Sequence, residues 1–127
     1  MRSLTGVAFA ILLSACGTFV PVTDVKKIDP DMLKAALQIR AYVIGQPPEG
    51  SYSVIEPIDA YSCKHLVWEK PASKGDALTQ LKYKAYAMGA NAIMDVAFDT
   101  RGTDTWGTNC WETVQASGVA IMIKQSR

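Results

Sequence analysis

The chain of 127 residues carries 13 basic and 12 acidic residues and is 49% hydrophobic, which is typical of one compact globular domain. The near-neutral balance argues against nucleic-acid binding, because a protein that neutralises phosphates needs excess positive charge on one face. Three cysteines and a single histidine leave little material for a catalytic site or a metal site with several ligands.

An apolar run covers residues 4–15, with Arg2 just ahead of it, and Cys16 follows directly. The run is far shorter than the ~20 residues that a membrane-spanning helix needs. A positive start, an apolar centre and small residues at the end describe a secretory signal. Because the small residues Ser14 and Ala15 stand immediately before the cysteine, the stretch resembles the lipobox of bacterial lipoproteins. An ordinary signal followed by an unmodified cysteine is the alternative.

The lipobox divides the chain into three parts. Residues 1–15 are predicted to be a signal peptide, and residues 16–29 a short tether whose first residue, Cys16, carries the lipid that binds the membrane. Residues 30–127 are predicted to be one folded domain. Gly17 is not the aspartate that retains lipoproteins in the inner membrane, so we expect the outer membrane, with the domain facing the periplasm.

Two short elements are predicted at the start of the domain. Asp29 followed by Pro30 is typical of a helix start, with a capping carboxylate and a proline where no backbone donor is needed. From Leu37 the apolar residues alternate, which predicts a half-buried strand, although a helix that continues to Ile44 would also keep them on one face. Two adjacent prolines then make residues 45–50 a loop.

A second strand is predicted over residues 52–61, and Pro57 either interrupts it or places it at a sheet edge, because proline cannot donate to a ladder. Cys63 lies just beyond this strand. A polar loop leads to the clearest helix of the chain, for which Ser73 is the predicted cap and Gly89 the end. Its apolar residues recur at helical spacing: Ala77, Leu78, Leu81, Ala85 and Met88.

Two further strands are predicted after this helix. In residues 91–99, Asp95 and Asp99 point outward. The inward set of that strand is Ala92, Met94, Val96 and Phe98. In residues 111–124, Gly118 marks a change of pattern that suggests a bulge or bend. The first half of that strand turns three polar residues to solvent: Thr113, Gln115 and Ser117.

The elements together predict an α+β fold. About four strands, in the order ββαββ, form a small mixed or antiparallel sheet, and one main helix packs on one face.

Two segments carry a family resemblance. Residues 88–100, "MGANAIMDVAFDT", and 114–123, "VQASGVAIMI", resemble the YbjQ-like fold, whose members end a helix in a Gly-Ala-Asn-Ala turn before a strand. In that turn Asn91 is expected to bond its own neighbouring backbone. The segments around Cys63 and Cys110, with the lipobox, are similar to the RcsF-like outer-membrane lipoproteins. The resemblance implies a non-enzymatic, lipid-anchored protein that senses envelope stress or contacts outer-membrane components by protein–protein interaction.

The chain departs from the RcsF-like pattern in two respects. That family is expected to hold two disulfides, and the positions matching the second pair are Phe98 and Ala116, a large side chain predicted to face a small one across neighbouring strands. The tether before residue 30 is also shorter than the family's Pro-rich, basic linker, so the resemblance supports the fold better than the signalling role. A lipidated YbjQ-like binding module, for a metal or for self-assembly, is the alternative function.

The two cysteines other than Cys16 are expected to form a disulfide, Cys63–Cys110, because an even pair beyond a secretory signal is usually bridged. His65 lies two residues after Cys63, but a metal site needs three or four ligands. We therefore interpret His65 as a surface residue beside the disulfide and expect no metal. The sequence contains no Cys-x-x-Cys motif and no glycine-rich phosphate loop, so neither an enzyme nor a cofactor is predicted.

Three tryptophans, Trp68, Trp106 and Trp111, are the remaining candidates for recognition. Trp68 and Trp106 fall in predicted loops, where exposed aromatic residues mark contact surfaces. The alternative is that both fold back as lids over the core. Together with His65 they form the predicted interaction surface, and the expected partner is another protein of the cell envelope.

Overall fold

The structure is a computed structural model that describes residues 25–103 and 110–124; the predicted signal peptide, Cys16 and Trp106 lie outside these ranges. A short 3-10 helix is followed by two helices and four strands, with these bounds: Val25–Lys27, α1 Pro30–Leu37, β1 Arg40–Val43, β2 Tyr52–Lys64, α2 Lys74–Ala87, β3 Ala92–Arg101 and β4 Glu112–Ile123. No helix in this part of the chain is long and apolar enough to cross a bilayer.

The four strands form one mixed sheet in the order β1-β3-β4-β2. The short β1 runs parallel to β3, whereas β4 pairs antiparallel with both β3 and β2. Helix α2 packs on one face of the sheet, and α1 lies against α2. The predicted α+β fold with one main helix on a small mixed sheet is therefore confirmed.

The first helix extends further and the first strand begins later than the alternating pattern predicts. The Asp29 side chain caps α1 by accepting the backbone N–H groups of Asp31 and Met32. Leu37 is still helical and 46% exposed, and the strand starts only at Arg40. The alternative prediction, a helix that continues to Ile44, is wrong, because residues 40–43 form a strand that pairs with β3.

Helix α2 has the predicted capping and the predicted apolar face. The Ser73 hydroxyl accepts the N–H of Asp76 at 3.1 Å, and Gly89 leaves the helix with a φ of +83°. The inner face is closed to solvent at Ala77, Leu81 and Ala85, each 0% exposed. Two of these three are alanines, so the helix lies close to the sheet.

The turn after α2 is hydrogen-bonded to the carboxyl-terminal end of β4. Asn91 does not bond its own neighbouring backbone as expected. Its side-chain amide donates to the carbonyl oxygen of Ile123 at 3.0 Å, and its Oδ1 accepts the Ile123 N–H at 2.7 Å. The backbone N–H of Asn91 also donates to Ile121, so the end of β4 lies beside the turn and offers better-placed partners.

A β-bulge in β3 changes which side chains face the helix. The register with β4 shifts between Met94 and Ala97, and Asp95 has a φ of +54°. As a result Ile93 and Val96, three positions apart, share the core under α2. The predicted inward set is wrong for Met94, which is only half-buried, because strict alternation does not survive a bulge. Ala92 is 0% exposed, as predicted, but lies outside the cluster under α2.

Gly118 lies opposite this bulge, so the irregularity predicted from the glycine occurs in the partner strand. Beyond Val114, the next three helix-facing positions of β4 are small: Ala116, Gly118 and Ala120. Phe98 pairs in register with Ala116, as predicted for a large side chain facing a small one. Thr113 was predicted to face solvent but is 0% exposed, because it lies between Cys63 of β2 and Arg101 of β3.

Strand β2 forms one edge of the sheet, as Pro57 predicts. It is longer than expected and ends at Lys64. Cys63 is therefore part of the ladder and pairs with Thr113 of β4. By alternation Cys63 lies on the face opposite Ile58 and Ala60, which both face α2.

We predict that Gly118→Ala destabilises the domain by about 1–3 kcal/mol, because overpacking a tight contact forces neighbouring groups apart. An added Cβ would lie 2.6 Å from Cγ2 of Ile93 and 3.0 Å from the carbonyl oxygen of Met94. Thermal or urea denaturation measures the loss. Gly75→Ala is the matched control, since an added Cβ there meets nothing within 4 Å. Equal stability of the two variants would show that β3 does not restrict position 118.

Candidate functional site at the disulfide end of the sheet

A disulfide joins the end of β2 to a cysteine two residues before the start of β4. Cys63 and Cys110 are bonded, with their Cα atoms 5.5 Å apart. Cys110 is 2% exposed and Cys63 is half-buried. Beside the bridge, the Trp111 N–H donates to the carbonyl oxygen of Lys64 at 2.8 Å and prolongs the pairing of the two strands. The predicted Cys63–Cys110 disulfide is confirmed.

The loop after β2 is an ordered turn held by one carboxylate. Oε2 of Glu69 accepts the backbone N–H of His65 at 2.9 Å and that of Leu66 at 3.3 Å. The N–H of Glu69 in turn donates to the Leu66 carbonyl at 3.0 Å. Three hydrogen bonds within five residues hold the turn directly beside the disulfide.

Among the described residues, four large apolar side chains are exposed at this end of the molecule. Their exposed fractions are 42% for Leu66, 66% for Val67, 81% for Trp68 and 56% for Trp111. We call these four residues the tryptophan surface. The interpretation of Trp68 as a lid over the core is wrong, because four fifths of its side chain faces solvent. Trp106, the other predicted contact residue, lies outside the described residues.

Two members of the tryptophan surface, Leu66 and Val67, were not predicted from the sequence, whereas Trp111 was a candidate for recognition and is 56% exposed. Leu66 and Val67 are an apolar pair within an otherwise polar loop, which is the signal that could have indicated them. Trp111 directly follows a cysteine that the disulfide buries, so by alternation its side chain turns outward. His65 is exposed, as predicted, at the base of the same turn.

His65 and the two cysteines lie together. One ring nitrogen of His65 and the Sγ atoms of Cys63 and Cys110 lie within 4.8 Å of one another. While the sulfurs are bonded to each other, neither is a thiolate that could bind a metal. In this oxidised form the arrangement is a structural crosslink with an imidazole beside it.

A polar network occupies the open face of the sheet next to this site. The Tyr61 hydroxyl donates to Asp59 at 3.0 Å and accepts from the Gln115 amide at 3.1 Å. Arg101 donates to Gln115 at 2.8 Å and to Asp99 at 3.1 Å. Because these groups bond one another, the network stiffens the sheet and leaves few of its polar atoms for a ligand.

An open groove of ~1150 Å³ lies at the opposite end, between β1, the loop that follows it and the end of β4. Its charged lining residues, Arg40, Glu49 and Lys124, are all exposed. Exposed charges keep their hydration and bind small ligands weakly compared with buried ones. The disulfide end, with its apolar and ordered surface, is the stronger candidate site.

Comparison with known proteins shows a likeness of fold alone. No protein-family model matches the chain, and no curated protein matches it. Among solved structures, the chain is similar to a protein of unknown function of the DUF74 family from Pediococcus pentosaceus ATCC 25745. The TM-score is 0.50 at 17% identity, and the match covers 68% of this chain and 98% of that one.

We predict that Cys63→Ser and Cys110→Ser each lower the melting temperature by several degrees. The bridge spans a sequence separation of 47, and a crosslink of that length is worth about 4 kcal/mol in the chain-entropy model. The double variant should lose no more than either single variant, because all three lack the same bond. Cys16→Ser serves as the control and should leave the melting temperature unchanged. A double loss equal to the sum of the singles would mean that the cysteines act independently.

Proposed function

We propose that this protein is a lipid-anchored envelope protein of the RcsF-like type that contacts an outer-membrane protein through the tryptophan surface. The observation that carries the proposal is the exposure of Leu66, Val67, Trp68 and Trp111 at one ordered end of the domain. Exposed tryptophans surrounded by polar residues are typical of the energetic centre of a protein–protein interface.

The tryptophan surface is held in place before any partner binds. The disulfide, the Glu69 carboxylate and the Trp111–Lys64 backbone hydrogen bond each restrict it. Binding then orders few additional groups, which lowers the entropic cost of association. Lys64 and Glu112, 3.8 Å apart, supply a charged rim next to the apolar residues.

Acylation of Cys16 would place this surface close to a membrane. Each buried methylene of an acyl chain is worth about 0.8 kcal/mol, and stable anchoring takes more than one chain. The tether predicted ahead of the domain is short, because Val25–Lys27 already form a 3-10 helix that contacts α2. Even fully extended, residues 17–24 could span no more than about 28 Å. The partner supported by this reach is therefore a protein embedded in, or bound to, the same membrane.

We predict that the mature protein begins at Cys16 and carries acyl chains on that residue. Mass spectrometry of the protein purified from membranes should find an N-terminal peptide heavier than its sequence mass by those chains. In Cys16→Ser the lipid should be absent and the protein should leave the membrane fraction. An unmodified N-terminus at any other residue would contradict the lipoprotein assignment.

We predict that Trp68→Ala combined with Trp111→Ala abolishes partner contact without unfolding the domain. Central interface tryptophans contribute on the order of 2 kcal/mol or more each, so affinity should fall more than about tenfold. The readout is an envelope-stress reporter in a strain whose own gene is deleted and replaced by the variant. Thermal denaturation should give a melting temperature close to that of the parent, because both side chains are exposed.

Ile44→Ala is the matched control for the tryptophan variants. Ile44 is 65% exposed and follows β1, which pairs with the first half of β3, away from the disulfide. Its truncation removes a comparable exposed apolar group and should leave the reporter response intact. A full response from the double tryptophan variant, at normal protein level, would overturn the assignment of this surface as the contact site.

A further inference from the structure

The feature that the proposed interaction does not use is the grouping of His65 with the two cysteines. All three ligand-type atoms lie within 4.8 Å of one another. Cys63 is the second-last residue of β2 and His65 directly follows that strand, whereas Cys110 lies just before the neighbouring strand β4. The disulfide therefore holds in place three donors that could converge on one ion.

We infer that reduction of Cys63–Cys110 converts this crosslink into a Cys₂His site for a thiophilic divalent cation such as Zn²⁺. Two thiolates and one imidazole are a known zinc ligand set that leaves the fourth position open. Reduction therefore exchanges a covalent bond for metal ligands at the same place in the fold.

The distances suit a zinc ion once the disulfide is open. Tetrahedral zinc with bonds of about 2.3 Å to sulfur requires the two sulfur atoms about 3.8 Å apart. Bonded sulfurs are closer than this, but rotation of the two side chains separates them without moving the backbone. The Cα distance of 5.5 Å is unchanged by that rotation. The imidazole already lies within reach of both sulfurs.

Conversion of the disulfide to a zinc site needs a reductant and releases protons. A dithiol reductant transfers two electrons and two protons to the disulfide, giving two protein thiols while the reductant becomes a disulfide. Zinc binding then expels the two thiol protons, and neutral His65 contributes a nitrogen lone pair. Two thiolate charges cancel the charge of the cation, and the exposed position of His65 leaves room for a water as fourth ligand.

Neighbouring groups support the site without belonging to it. Glu69 orders the His65 backbone through its N–H and so limits the positions that the imidazole can take. The Glu112 carboxylate accepts the Ala72 N–H and lies 3.8 Å from Lys64. Both carboxylates therefore already have partners, and the proposed ligands are Cys63, His65 and Cys110.

Zinc binding is tested on the full chain with Cys16→Ser, so that only two thiols remain. The protein is prepared oxidised, or reduced with a phosphine that is then removed, and equilibrated with Zn²⁺ by dialysis. Competition with a chromophoric chelator gives the affinity, and circular dichroism reports whether the chain is folded. The reduced protein should bind one zinc ion per chain, and the bound zinc should protect both thiols from alkylation. The oxidised protein should bind no zinc.

His65→Ala should weaken zinc binding by the reduced protein at least tenfold, and His65→Cys should restore it. Lys70→Ala, an exposed change in the same loop, is the control and should have no effect. Refolding of an unfolded reduced chain by zinc would also support the inference. Equal zinc binding in the oxidised form, unchanged affinity in His65→Ala, or a reduced chain that fails to bind zinc would overturn it.

Discussion

Close packing of α2 against the small side chains of β4 is the constraint on which the rest of the fold depends. The middle of the helix-facing side of β4 has only small residues: Ala116, Gly118 and Ala120. Alanines of α2 pack against them. The space that remains is filled by Ile93, whose methyl group would collide with any Cβ at position 118. Such contacts gain dispersion energy only when the surfaces meet without voids.

The position of β4 determines the geometry of the disulfide end. Because β4 pairs with β2 from Ile123 to Glu112, its register decides which residue of β2 stands opposite the start of the strand. Cys63 stands opposite Thr113, and this places Cys110 within bonding distance. A shift of one residue would move Cys63 to the other face of the sheet, and the bridge, the ordered turn and the tryptophan surface would be lost together.

The candidate functional site consists mainly of loop residues at the disulfide end of the sheet. A structural likeness at 17% identity to a protein of unknown function establishes the fold and no activity, because one fold serves many functions. The candidate site of this chain lies at the end of β2 and the start of β4. An ordered turn exposes Trp68 there, and the disulfide lies beside His65. The proposed contact surface lies directly beside the Cys63–Cys110 disulfide. Reduction of that bond would therefore remove one of the restraints on the residues proposed to bind a partner.

Local signals in the sequence determined much of the secondary structure and the disulfide. The caps at Asp29 and Ser73, the glycine after α2 and the edge position of Pro57 depend on neighbouring residues alone, and each is present in the structure. The Cys63–Cys110 pairing followed from the number of cysteines that a secretory signal left available, and the pairing of Phe98 with Ala116 followed from a family resemblance.

Only the tertiary structure decided which side chains face the core, the solvent and one another. The bulge at Asp95 brings Ile93 into the cluster under α2 in place of Met94, and alternation cannot reveal it because the bulge forms against Gly118 of another strand. Asn91 finds its partner at Ile123, 32 residues away, and Thr113 is buried by strands on both sides. The exposure of Trp68 and the meeting of His65 with both sulfurs likewise depend on long-range pairing, which the order of residues constrains but does not display.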